Sequence, residues 1–181
     1  MSVSALKLRI DAPTGEPFPG RGFYQLEEDS LYVQVSPFSR QRRFFSYLES
    51  DRVRLDLDKE GRLLFIEVDC ARNLWKTDRR LKPPAKAPPA DIRWLDFRER
   101  VADPELLTDE RRTALLIRFI SQSVAHSHLL AQAVVVDVTE QNTLAGIWIT
   151  DIVDDLAGSR IAEFRKRSRP PGEQLARSPD R

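Results

Sequence analysis

Val-Arg-Leu-Asp-Leu-Asp-Lys-Glu-Gly-Arg-Leu-Leu-Phe-Ile-Glu-Val occupies residues 53–68 and places two apolar runs on either side of one glycine. Apolar and polar residues alternate from Val53 to Leu57, which is typical of a strand with one buried face. Gly61 suits the positive φ of a tight hairpin turn. The stretch therefore predicts a β-hairpin, and its inward-facing residues are expected to be Val53, Leu55, Leu57, Leu64, Ile66 and Val68.

A similar hairpin pattern recurs 81 residues later in the chain. Gly61 aligns with Asn142, and both residue types tolerate positive φ. Asp56 aligns with Asp137 at an outward-facing position. One hairpin cannot bury its apolar face alone, so two copies that pack together are physically sensible. The six inward positions of the second copy are Val134, Val136, Val138, Ala145, Ile147 and Ile149.

These patterns predict a mainly β (α+β) fold, with two pseudo-symmetric antiparallel strand-hairpin repeats packed together and a C-terminal helix. The repeats are expected at residues 1–75 and 91–150, joined by an extended proline-rich linker at 76–90. A helix is predicted over residues 151–168, because Ile152, Val153, Leu156, Ile161 and Phe164 can form one apolar stripe. Residues 169–181 have almost nothing to bury and are predicted to be a disordered basic tail.

The segments 28–33 and 53–67 resemble a small uncharacterised bacterial β-rich domain family. Its members read Asp-x-Leu-Tyr-Ile and then a hairpin of the form Leu-Asp-x-Asp-x-x-Gly-x-Leu-x-Gly-Ile-Glu. The resemblance covers residues 23–71 and, more faintly, 112–150. Phe65 stands where the family has its second glycine, whereas Gly146 keeps that glycine in the second copy. The resemblance implies the hairpin fold and implies no chemistry.

Composition narrows the classes of function. The chain has 29 basic and 28 acidic residues, so no global field attracts it to nucleic acid or to a membrane. Cys70 is the only cysteine, which excludes an intramolecular disulfide and a cysteine-based zinc site. The sequence contains two histidines and one cysteine, so few residues are candidates for a catalytic nucleophile or base. It also contains no glycine-rich phosphate loop. We expect a cytoplasmic protein without a cofactor and without membrane association, and the composition favours a non-enzymatic role.

The two histidines are the candidate metal ligands. His126 and His128 would point the same way on a strand, and a carboxylate from Asp137 or Asp151 could complete a site. Spacing specifies no third ligand, so an exposed or hydrogen-bonded pair is the alternative. The acids of residues 56–67 nearly match a calcium loop, but their period-2 flanks favour a solvated hairpin instead.

Residues 38–45 interleave arginines with aromatic residues, as a single-stranded nucleic-acid platform would. The alternative is a hairpin loop whose Phe44 and Phe45 enter the core. The C-terminal segment is also basic and could contact nucleic acid or an acidic partner. The residues assigned to such an interface are Arg40, Arg42, Arg43, Arg165 and Arg167.

Three classes of function follow from these features. The leading one is a non-enzymatic binding or assembly module, homo-oligomeric through its edge strands or the helix at 151–168, with a protein partner left open. The second is a nucleic-acid-associated accessory protein that uses the basic loop and tail. The third is a metal-dependent enzyme that uses the histidine pair.

Overall fold

A computed structural model of the chain describes residues 5–37, 39–40, 42–97, 99–121 and 123–168. The predicted mainly β class is confirmed, with one short C-terminal helix, α1, at Ser159–Ser168. The strands are β1 (Leu8–Asp11), β2 (Gly22–Gln25), β3 (Ser30–Gln34), β4 (Ser46–Glu49), β5 (Val53–Leu57), β6 (Leu63–Val68), β7 (Lys76–Thr77), β8 (Asp91–Trp94), β9 (Glu99–Arg100), β10 (Glu105–Thr108), β11 (Leu115–Arg118), β12 (His126–Ala131), β13 (Val134–Val138), β14 (Leu144–Ile149) and β15 (Val153–Asp154).

Two large sheets enclose the core. Sheet I has the order β15-β2-β3-β6-β5-β4-β9, and sheet II has the order β12-β13-β14-β11-β10-β7. Strands β1 and β8 form a separate antiparallel pair, with Leu8 opposite Trp94. The alternating apolar residues of both sheets and of this pair join in one buried cluster. The period-2 patterning of the strands therefore fills the space between the sheets.

The predicted inward set is wrong at one position in each hairpin. The register between β5 and β6 shifts after Asp56, so Leu57 pairs with Leu63. Leu63 then joins the main core, and Leu64 lies on the outer face. The second hairpin has the same shift between Asp137 and Val138, so that Leu144 is the core residue there. Both hairpins thus carry a bulge at the same place.

The two halves of the chain exchange strands. The order β2-β3-β6-β5-β4 in sheet I matches β10-β11-β14-β13-β12 in sheet II. After the first hairpin, β7 pairs in parallel with β10, and after the second, β15 pairs in parallel with β2. Each half therefore supplies a strand to the other half's sheet.

The hairpin turns also bind strands from the opposite half. Trp94 N donates to Gly61 O at 2.7 Å, and Leu8 N donates to Asn142 O at 2.9 Å. Gly61 and Asn142 have φ values of 82° and 54°, as their residue types indicate. The two turns are thus the points where β8 and β1 attach to the sheets.

The helix is shorter than the sequence predicts. Val153 and Asp154 pair with β2 as β15, and α1 begins only at Ser159, after Gly158 with φ 65°. Leu156 was expected on the buried stripe, but 82% of it is exposed. Asp155 Oδ2 instead accepts a hydrogen bond from Ile161 N in the first turn of α1. The side chain of Phe164 and the predicted tail at 169–181 lie outside the described residues.

The proline-rich segment crosses the outer face of sheet II. We call residues 78–90 the proline strap. Its Leu81 and Ala87 pack against a buried cluster that contains Trp148. Its end follows β12, where Leu129 N donates to Pro88 O at 2.9 Å and Ala90 N donates to Leu129 O at 3.2 Å. The strap therefore covers apolar surface and part of a sheet edge, rather than only joining two halves.

No helix within the described ranges is long and apolar enough to cross a membrane.

Candidate binding surfaces

The connection between β3 and β4 is rich in arginines. We call its described residues 39–40 and 42–45 the basic loop. Arg40 and Arg43 are exposed and Arg42 is half-buried. None of the three forms an ion pair with a described residue, whereas Arg52 and Arg72 pair with Asp103 and Asp154. A local field that is favourable to anions therefore exists at this loop.

Aromatic side chains accompany these arginines. Phe44 stacks on Tyr47, with ring centroids 6.5 Å apart and planes 10° from parallel. The Arg54 guanidinium lies over the Tyr47 ring at 4.3 Å from its centroid. Phe45 meets Phe97 edge-on and is 50% exposed, so the expectation that it enters the core is wrong. The loop thus presents an aromatic face beside its charges.

Arg165 and Arg167 were expected to act with this loop. The Arg165 guanidinium pairs with Glu28 and Tyr32, which fixes α1 to the outer face of sheet I. Glu28 precedes β3 and Tyr32 lies within it, whereas the basic loop follows the other end of this strand. Arg167 belongs to α1, but its side chain is outside the described part of the chain. The structure therefore does not bring Arg165 to the basic loop.

The acids of the first hairpin are buried rather than solvated. Asp56 and Asp58 are each 1% exposed, and Glu67 is 2% exposed. Asp56 pairs with Arg54 at 2.7 Å. Asp58 Oδ1 accepts hydrogen bonds from Glu60 N at 2.8 Å and Arg62 N at 2.9 Å, which closes the turn. The carboxylates of Asp56 and Asp58 therefore take part in the folded hairpin, through an ion pair and through the turn hydrogen bonds.

Burial raises the pKa of Asp58, and the nearby charges of Arg62, Arg42 and Arg93 oppose that rise. Asp58→Asn keeps the acceptor for the turn and removes a buried charge, so it should match or exceed the wild-type stability at pH 7. Asp58→Ala removes both turn bonds and should cost about 1–3 kcal/mol. Urea unfolding measures both.

The pH dependence has a definite sign. The pKa of Asp58 is higher in the folded protein than in the unfolded chain, so ionisation of Asp58 lowers the free energy of unfolding at pH values above the folded-state pKa. Below the unfolded-state pKa of about 3.9 the carboxyl is protonated in both states, and this loss of stability is absent. The advantage of Asp58→Asn should therefore shrink as pH falls from 7 to 4. Glu140→Gln, at an exposed position in the second hairpin turn, is the control. An advantage that grows on acidification would contradict this assignment.

The histidine pair lies on edge strand β12, with ring centroids 6.4 Å apart. Asp137 was one of two carboxylates, with Asp151, that could complete a metal site, but it faces Ser127 rather than the histidines. Its Oδ1 accepts from Ser127 Oγ at 2.6 Å, and its Oδ2 accepts from Trp148 Nε1 at 2.8 Å. In the part of the chain that is described, no three His, Cys, Asp or Glu residues form a group that could hold a metal ion.

A cavity of about 230 Å³ opens beside the basic loop. Its walls come from the β1–β2 connection at 13–18, residues 35–37 after β3, residues 89–92 and β12, and Arg42 and Arg62 also line it. Sequence reasoning missed this cavity, because its walls come from segments far apart in the chain. Only the concentration of arginines at 40–43 pointed to this region.

Comparisons with known proteins add no family assignment. No protein-family model matches the chain, and no curated protein is significantly similar to it. The geometry alone therefore carries the functional argument.

Proposed function

We propose that this protein is a non-enzymatic binding module whose binding surface is the basic loop, and that its ligand is single-stranded nucleic acid. One observation carries the proposal. Arg40, Arg42 and Arg43 have no ion-pair partner among the described residues, and they precede the exposed Phe45 in the same loop. Such a pairing of cations with an aromatic face suits a backbone of phosphates with unstacked bases.

Each part of the surface has a separate energetic contribution. Arginines that contact phosphates release counterions, which makes the affinity fall steeply with salt. A base that stacks on Phe45 contributes about 1–3 kcal/mol and requires no particular sequence. Arg54, which is held by Asp56 and lies over Tyr47, keeps the neighbouring aromatic pair in place. The proposal thus expects salt-dependent binding with little sequence preference.

Fluorescence anisotropy with a labelled dT20 oligonucleotide tests the proposal at 50 and 200 mM salt. The triple variant Arg40→Gln, Arg42→Gln, Arg43→Gln should weaken binding at least ~10-fold at low salt. It should also reduce the slope of log K against log salt by about 2, at ~0.7 per phosphate contact. Phe45→Ala should weaken binding at both salt concentrations by a similar factor.

Arg79→Gln is the matched control, since this exposed arginine pairs with Glu110 far from the loop. It should leave both the affinity and the slope unchanged. Wild-type binding that is insensitive to salt would contradict the proposal, as would a triple variant that binds like the wild type.

Homo-oligomeric assembly is the second candidate. The outer strands β15, β7 and β9 have two residues each, and the strap covers part of β12. Short or covered edges discourage strand addition by a second copy. The exposed side of α1 is then the surface left for assembly. Light scattering of the full chain tests this, and a monomer at high concentration would contradict it.

We also infer that the two halves arose by duplication. The matched strand orders support this, and so do the equivalent bulges and the docking of β8 and β1 on Gly61 and Asn142. A pseudo-twofold axis that passes through the Leu8–Trp94 pair is consistent with the register of β1 and β8. The resemblance of residues 23–71 to the bacterial domain family stays a prediction.

A further inference from the structure

The cavity beside the basic loop is a candidate binding site for a small molecule, separate from the surface proposed to bind nucleic acid. We propose that it binds a small organic carboxylate with an apolar body, and that the Arg42 guanidinium binds the carboxylate group. This inference concerns the interior of the cavity and does not depend on whether the loop binds nucleic acid.

The walls suit an apolar body of limited size. Prolines and larger apolar residues from three segments line the cavity, among them Pro17, Phe18, Pro89 and Leu129. Its volume of about 230 Å³ lies just below the ~300–1,000 Å³ of typical ligand pockets, so its ligand must be small. Ligand sites are commonly concave and largely apolar, with a few polar groups that fix orientation. A compact molecule with one ring fits this description.

Among the described wall residues, the charged side chains leave one cation, Arg42, without an ion-pair partner. The charged lining residues are Glu16, Arg42, Arg62 and Asp91. Arg62 Nε donates to Asp91 at 3.2 Å, and Arg62 also forms an ion pair with Glu60. Asp91 forms a second ion pair with Arg93. Glu16 is exposed to solvent. Arg42 is half-buried, and its side chain forms no hydrogen bond or ion pair with a described residue.

The backbone holds Arg42 in this position. Ser39 N donates to Arg42 O at 3.2 Å, and Arg42 N donates to Ser39 Oγ at 3.0 Å. Asp58 is near enough to sense the charge of Arg42, but no hydrogen bond joins the two side chains. A partly desolvated guanidinium without a partner is costly, and a ligand carboxylate would satisfy it.

The chemistry of the site favours a monoanionic carboxylate. The guanidinium fork matches the two oxygens of a carboxylate in a bidentate contact. Glu16 and Asp91 lie in the same walls and oppose a second negative charge on the ligand. The walls combine polar groups with apolar residues such as Phe18 and Leu129, and a bare inorganic anion would leave those apolar residues without a contact. The expected ligand therefore combines one carboxylate with a ring or a short aliphatic chain.

Titration of the full-length protein with benzoate, followed by two-dimensional amide NMR, tests the proposal. Benzoate should produce saturable shifts at residues 13–18 and 89–92. Benzamide, which has the same ring and no charge, should bind at least ~10-fold more weakly, because a hydrogen bond between charged groups is lost. Inorganic phosphate should produce no saturable shifts at these residues.

Two variants locate the carboxylate contact. Arg42→Gln should weaken benzoate binding at least ~10-fold, and Arg43→Gln, the exposed neighbour that does not line the cavity, should not change it. Arg42→Lys keeps the charge without the fork, and it should weaken benzoate by less than Arg42→Gln does. If Arg42→Gln does not fold, Arg42→Lys alone tests the contact between Arg42 and the carboxylate.

Three results would overturn the proposal: benzamide as strong as benzoate, benzoate binding unchanged by both Arg42 substitutions, or phosphate that shifts the same residues. The test also separates the two proposals. Arg43→Gln should weaken oligonucleotide binding while it spares benzoate, so either proposal can fail without the other.

Discussion

Gly61→Ala is expected to destabilise the protein by about 3–5 kcal/mol in urea unfolding, one of the two largest effects we anticipate. Gly61 has φ 82°, and a Cβ there would lie 2.1 Å from Trp94 O. That oxygen belongs to backbone and cannot move as a flexible side chain would. The turn must shift, which breaks the hydrogen bond from Trp94 N to Gly61 O. The substitution therefore combines strain with the loss of the β8 attachment.

Two control variants separate these causes. Asn142→Gly changes the equivalent position of the second turn, where φ is 54°, and glycine adopts that conformation without strain. We expect a change within about 1 kcal/mol. Gly15→Ala adds a Cβ that meets nothing within 4 Å, so it should be nearly neutral. An unfolding midpoint of Gly61→Ala equal to the wild type would show that β8 does not depend on this turn.

Truncation after Thr150 is expected to abolish folding or to yield aggregates. It removes β15, the buried Ile152 and the buried Ile161. Each isoleucine contributes about 1.5–3 kcal/mol when fully buried, and the loss approaches the ~5–15 kcal/mol stability of a typical domain. The outer cluster of Tyr32, Leu64 and Phe65 also loses its cover, since Ile161 completes it.

Truncation after Gly158 is the matched comparison, since it removes α1 and keeps β15 and Ile152. It should cost about 2–4 kcal/mol, from Ile161 and the Arg165 ion pair, and leave a folded protein. Size-exclusion chromatography and thermal melting distinguish the two truncations. If both melt like the full-length chain, neither β15 nor α1 contributes to the core.

The sequence predicted the hairpins because their information is local. Alternation from Val53 to Leu57 and the turn residues Gly61 and Asn142 depend on near neighbours. The bulge was missed because residues 63–66 are all apolar, so periodicity could not fix the register. The apolar spacing around Val153 is equally compatible with a helix. Only pairing with β2, far away in the chain, makes that segment a strand.

The candidate sites, like the hairpins, could be predicted only where the residues involved are close together in the sequence. The clustered arginines of the basic loop are visible in the sequence, so the loop could be proposed from composition. The ion pair of Arg165 requires Glu28, which lies near the other end of the chain, so the sequence around Arg165 does not reveal it. Asp58 lies in the turn to which β8 attaches, and its neighbours include Arg93 of β8, which is far away in the chain. The cavity needs four segments brought together by the fold, and no spacing rule describes such an assembly.

The strand exchange has a consequence for synthesis on the ribosome. Among the described strands, β1 is synthesised first, but its Leu8 donates a hydrogen bond to Asn142, which is synthesised much later. Strand β15, which pairs with β2, is synthesised later still. The N-terminal half therefore emerges with polar backbone groups and an apolar face that only the last residues made can cover. Folding of the first half must wait until the Asn142 turn and β15 have been made, and such long-range pairing is slow and prone to aggregation. We expect a nascent chain stalled before β14 to need chaperones.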